Sequence, residues 1–108
     1  MVKRILLMAS VATGLAAAGS VVAAPKPSPG AANRSEGARL YVATGCYQCH
    51  GYAGQGGMAG PRVAGKNYTV EAFRRQLRHP SDEMPPYTDR VMSDAEIAAI
   101  QAYVATMK

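Results

Sequence analysis

Residues Cys46-Tyr47-Gln48-Cys49-His50 constrain this chain more than any other stretch. Two thiols stand three positions apart, and an imidazole follows the second directly. Residues three and four apart share a face of a helical turn, so one short turn presents all three groups on one side of the backbone. C-x-x-C-H in this order is the pattern of covalent haem attachment. Two thioether bonds reach the two vinyl groups on one edge of a porphyrin, and the next residue turns its imidazole under the iron. Cys46 and Cys49 are the only cysteines in the sequence, so no other thiol competes.

Three other chemistries use paired cysteines. A thioredoxin-like redox pair needs a βαβ context, and nothing in this sequence reads as one. A structural zinc site takes four ligands, yet beyond Cys46, Cys49 and His50 only His79 remains among the usual nitrogen and sulfur donors. A plain disulfide would leave His50 without a role. One covalently bound haem accounts for all three residues.

Residues 1–24 read as a secretory leader. Lys3 and Arg4 make a positive start, Ile5 to Ala18 an apolar core, and Val21-Val22-Ala23 or Val22-Ala23-Ala24 the cleavage pattern. Pro25 directly after the scissile bond is awkward, which favours cutting after Ala23. A retained anchor is the competing reading. The apolar run falls short of the ~20 residues a spanning helix needs, and Gly14, Gly19 and Ser20 weaken it. Cleavage and a periplasmic location are therefore expected, with no membrane span left afterwards.

The charge must be read with that leader in mind. Twelve Lys and Arg against seven Asp and Glu give +5. Losing Lys3 and Arg4 leaves about +3, and two haem propionates bring it near neutral. This is no signature of nucleic-acid binding. Only Arg74, Arg75 and Arg78 cluster, on one side of an expected helix; they make a weak docking patch for an acidic partner or, as expected here, a solvated face. Removing 24 residues from 108 leaves 84, enough for one domain but short of a self-sufficient core without a staple. A porphyrin would be that staple, so incomplete folding without it is expected.

Pro25 to Gly30 is too rich in proline for helix, and residues 25–34 are expected to form a flexible tether ahead of a domain over 35–108. A first helix is expected from near Ser35, with Glu36 in its first turn, through Leu40, Tyr41 and Val42, ended or bent by Gly45. Residues 51–65 hold six glycines and Pro61 and read as loop. Thr69 is a candidate N-cap for a helix with Val70, Phe73 and Leu77 on its apolar face, stopped by Pro80. Met84-Pro85-Pro86-Tyr87 must be extended. Ser93-Asp94-Ala95-Glu96 is a capping box, with Met92 stapling onto Ile97 and a stripe of Ile97, Ile100 and Val104. No β alternation, repeat or second domain is evident. The fold class expected is all-α, three to four helices.

His50 is the expected proximal iron ligand, and its second ring nitrogen needs an acceptor. Pro61 is the candidate, its carbonyl held by the ring; alternatively it only turns the loop. For the sixth position six methionines are available, of which Met1 and Met8 leave with the leader. Met58 is too near His50, Met107 ends the last helix, and Met92 is explained as a staple. Met84, stiffened by two prolines, is favoured over Met92 and over His79. Histidine–methionine ligation leaves no open coordination site and raises the reduction potential, which suits electron transfer rather than oxygen or peroxide chemistry.

Taken together these segments resemble the class I c-type cytochromes over nearly the whole chain after the leader. Gly37 with Tyr41 is similar to the glycine–aromatic pair of that family's first helix. Cys46, Cys49 and His50 resemble its haem motif, Gly60-Pro61 its proline loop, Met84-Pro85-Pro86 its methionine segment, and Ile100 with Tyr103 its last helix. The resemblance implies the cytochrome c fold around one haem c and the acceptor role for Pro61. It also implies haem attachment outside the cytoplasm, in keeping with the leader. Two departures stand out: Gly45 is an extra residue before Cys46, and the interval from His50 to Met84 is short. The short interval implies a trimmed loop and a more exposed haem edge and leaves the propionate contacts open, with Arg62, Tyr68 and Tyr87 as candidates. The expected function is a one-electron carrier, not an enzyme. Its partners would be redox proteins: a periplasmic oxidoreductase as donor, an oxidase or another cytochrome as acceptor.

Overall fold

The structure, a computed structural model, describes residues 12–26 and 28–108. Residues 1–11 of the expected leader and Pro27 of the expected tether lie outside the described residues. Residues 12–26 carry no regular secondary structure. Four helices follow: α1 (Pro29–Ala43), α2 (Cys46–His50), α3 (Val70–Arg78) and α4 (Asp94–Val104). Among the described residues there is no strand, only an isolated bridge between Gly57 and Gly60. The all-α expectation is met.

The first helix corrects one expectation. It begins at Pro29, not near Ser35, so the proline-rich stretch is already helical over its last residues. Ser28 is extended and its Oγ accepts from the Ala31 N–H at 3.4 Å. Proline suits the first helical position because its missing N–H would have no partner there and its φ is already helical. Ala31 and Ala32, with the best intrinsic propensity, carry the helix onward. Where a proline stands, more than how many there are, decides whether it breaks or starts a helix.

α1 and α4 make the principal helix–helix contact. At their crossing Gly37 is buried, and a Cβ there would run into the Ala99 carbonyl and Tyr103 Cβ. Only glycine lets the backbones come this close. Tyr41 packs edge-on against Tyr103, with ring centroids 5.6 Å apart. Its phenol then donates to the Gly51 carbonyl at 2.7 Å, tying α1 to the residue that ends α2.

The other two helices start as their sequences indicate. Thr69 Oγ1 accepts from the Ala72 N–H, and Phe73 and Leu77 of α3 are buried. The reciprocal bonds of the capping box between Ser93 and Glu96 are both present. Met92, Ile97 and Ile100 are 1%, 0% and 0% exposed in one core cluster. Burying each such side chain stabilises by roughly 1.5–3 kcal/mol before entropy is counted.

Arg78 departs from the expected solvated face. Its side chain is only 16% exposed. It donates to the carbonyls of Tyr87 and Met92, both at 2.8 Å, and to Asp94 Oδ1 at 2.7 Å. The neighbouring Arg74 only approaches Asp94, at 3.9 Å. The arginine row therefore serves two purposes, and its last member is a structural group.

Candidate haem site

The site starts from the joint between α1 and α2. Thr44 caps α1, its Oγ1 donating to the Leu40 carbonyl at 2.8 Å. Gly45 then takes a left-handed turn, φ +81°, and α2 begins at Cys46. Cys46 and Cys49 are unbridged and half-buried. Thr44 Oγ1 sits 3.4 Å from Cys46 Sγ. Burial pushes the Cys46 thiol above its ordinary range, against the pull of the Thr44 contact. A thioether carries no charge, so surroundings that penalise a thiolate cost an attached sulfur nothing.

His50 Nδ1 lies 2.7 Å from the Pro61 carbonyl oxygen. A carbonyl only accepts, so Nδ1 carries a proton, and Nε2 is the ring nitrogen left to face an iron. The glycine loop delivers that carbonyl. The Gly56 N–H donates to the His50 carbonyl at 2.8 Å, and the Gly57 N–H to that of Gly60 at 2.9 Å. Gly60 itself lies flat on the motif: a Cβ there would stand 3.0 Å from both the Cβ and the carbonyl oxygen of Cys49.

Met84 reaches the same place from the far side of the sequence. It lines a cleft of about 210 Å³ together with Cys46, Cys49 and His50, with Thr44, Gly45, Gln48, Pro85 and Tyr87 completing the walls. Tyr87 fastens this segment twice. Its N–H donates to the Leu77 carbonyl at 2.8 Å and its phenol to the Thr44 carbonyl at 3.0 Å. Burial raises the phenol's pKa, so it remains a donor. Gln76 Nε2 stands 3.9 Å from Met84 Sδ, a weak contact at most.

The competing ligands lie elsewhere. Met92 is in the core and Met107 is buried at the chain end, while Met58 is fully exposed in the glycine loop. His79 is exposed at the C-cap of α3. None of them lines the cleft. Among the described residues, no group of three or more His, Cys, Asp and Glu side chains is arranged to hold a metal ion. Of the propionate candidates only Tyr87 lines the cleft; Arg62 Nε donates to the Ala64 carbonyl and the Tyr68 carbonyl accepts from Gln101. Sequence reasoning missed Thr44 and Gln48 as wall residues. Thr44 had a legible signal, a helix-ending threonine directly before Gly45 and the motif.

Residues 32–104 match the family model described as cytochrome C oxidase, cbb3-type, subunit III. The chain belongs to this family of class I c-type cytochromes. Among solved structures, this cytochrome is similar to cytochrome CL from the marine methylotrophic bacterium Methylophaga aminisulfidivorans, at 22% identity and a TM-score of 0.52. The match covers 69% of this chain and 55% of that one, so this chain spans about half the length of the solved relative. That likeness speaks to the fold alone. Among curated proteins, none matches this chain.

A c-type cytochrome carries covalently bound haem and works in electron transfer. The donor set here fits that group. Two thiols one helical turn apart, an imidazole whose Nδ1 proton is already committed, and a neutral thioether share one cleft. Among the described residues no helix is long and apolar enough to cross a membrane.

Proposed function

We propose that this cytochrome is a periplasmic one-electron carrier, exported with cleavage of its leader near Ala23. In this reading its haem is joined through Cys46 and Cys49, and its iron is ligated by His50 Nε2 and Met84 Sδ. The observation that carries the reading is the convergence of these four side chains on one cleft, with the His50 tautomer fixed by Pro61. The bound haem supplies a one-electron iron couple. The chain's residues do the rest. Pro61 holds the imidazole in one orientation. Pro85 and Pro86 stiffen the approach of Met84, and Tyr87 fastens it to α3 and to the joint before Cys46. Ligands held this way move little when charge changes, which keeps the cost of each electron transfer low. With His50 and Met84 both holding the iron, no site would be left for oxygen or peroxide, so the protein acts as a carrier and not an enzyme. Its donor is a periplasmic oxidoreductase and its acceptor an oxidase or another cytochrome.

The optical spectrum of the ferric holoprotein tests the ligand assignment. A weak absorption band at the red end of the visible, diagnostic of sulfur–iron ligation, is expected in the native protein. It should vanish in Met84→Ala, with a lower reduction potential, and survive in Met58→Ala. A high-spin native spectrum, or a band indifferent to Met84→Ala, would overturn it.

A further inference from the structure

The stretch between α3 and α4 carries Met84, and its base is closed by one side chain. Arg78 ends α3 and sends one nitrogen to the Tyr87 and Met92 carbonyls and another to Asp94, the first residue of α4. The two carbonyls flank the second half of the arc that runs from Met84 into α4. The guanidinium therefore does not hold a surface loop to solvent; it sets where the arc leaves α3 and where it rejoins α4.

Tyr87 is the point at which this closure meets the cleft. Three bonds converge on it: its N–H to Leu77, its carbonyl to Arg78 and its phenol to Thr44. Between Tyr87 and Met84 stand only Pro85 and Pro86, each with φ locked by its ring. Two prolines in series transmit a displacement instead of absorbing it. A shift of the Tyr87 backbone becomes a shift of Met84.

We propose that Arg78 is the positioning residue for Met84, a buckle whose charge-assisted bonds hold the thioether in the cleft against competing ligands. It does not line the cleft, and it acts through Tyr87. This inference rests on Met84 as the sixth ligand. Bonds to a charged donor are among the stronger ones in proteins, and lysine cannot replace the fork that spans two carbonyls and a carboxylate.

The test uses ferric holoprotein and free imidazole, which binds iron only when the native sixth ligand lets go. Arg78→Gln is expected to bind imidazole at least tenfold more tightly than the native protein, with a weakened red band and faster hydrogen exchange at the Tyr87 amide. Arg78→Lys should fall in between. Arg74→Gln removes the same charge from the same helix and should leave imidazole affinity within twofold. If Arg78→Gln does not accumulate as folded holoprotein, Asp94→Asn and Tyr87→Phe carry the test, each expected to tighten imidazole binding severalfold. A variant set that loses thermal stability yet binds imidazole like the native protein would make Arg78 a purely structural group and sink the proposal. If Met84→Ala leaves the native red band intact, the ligand reading fails and takes this proposal with it. If that band is lost while Arg78→Gln leaves imidazole affinity unchanged, only the buckle fails.

Discussion

Tyr41 joins packing and polarity on one ring. Its side chain is 2% exposed, its edge meets Tyr103 and its hydroxyl serves the Gly51 carbonyl. Burial, reinforced by nearby Cys46 and Tyr103, lifts its pKa from 10.0 to about 12. The sign of the consequence follows from proton counting. Between those values the unfolded chain gives up a phenol proton that the folded chain keeps. Tyr41 therefore contributes stability fully below pH 10, and that contribution is lost as pH rises toward 12. Urea midpoints measured across this window should fall more steeply for the native protein than for Tyr41→Phe; equal slopes would remove Tyr41 from the account. The burial cause survives attachment of haem at Cys46, so the effect belongs to the holoprotein too. At this scale the sequence was informative wherever chemistry is local. Cys46, Cys49 and His50 stand out by spacing alone, and Met84 by its prolines. Arg78 does not, because its three acceptors lie 9, 14 and 16 residues away and no local pattern encodes them.

At the scale of helices, two effects oppose each other at Gly37. Replacing a mid-helix glycine by alanine ordinarily stabilises by roughly 0.5–1 kcal/mol. Here the new methyl would meet the backbone carbonyl of Ala99, which cannot turn aside as a flexible side chain would. Overpacking of this kind costs typically ~1–3 kcal/mol, so collision wins. Gly37→Ala should lower the denaturant midpoint by a net loss of about 1–2 kcal/mol; a rise would show that α1 and α4 separate without penalty. The helices also differ in how openly their sequences announce them. The start of α4 is written in four consecutive residues, the first and last of which each accept through the side chain from the other's backbone N–H. The start of α1 depends on a serine cap ahead of a proline that composition marked as a breaker. A rule about average content loses to a rule about position.

The whole molecule is organised around a feature that no single helix supplies. α2 contributes no buried residue, only the half-buried Cys46 and Tyr47 packed against the core. Haem would fill the cleft and cover its largely apolar walls. The double variant Cys46→Ala with Cys49→Ala should therefore show reduced helical circular dichroism and a broad, weakly cooperative melt. A sharp native-like transition in that material would mean that α1 and α4 suffice. The all-α architecture was legible because helix caps recur along the chain. The register in which Gly37 faces Ala99 was not, since it is set by two residues more than sixty positions apart.

That meeting of residues 37 and 99 encloses everything between them in a closed ring of polypeptide. Closing a ring costs little more when it is long, about 0.6 kcal/mol for each doubling. A nick at exposed Lys66–Asn67 would thus yield two pieces, one bearing both thiols and His50, the other bearing Met84. The same helix crossing would keep them clasped. Colour would reside on the first piece and the tuning sulfur on the second, so the couple's potential would report whether the halves had found each other.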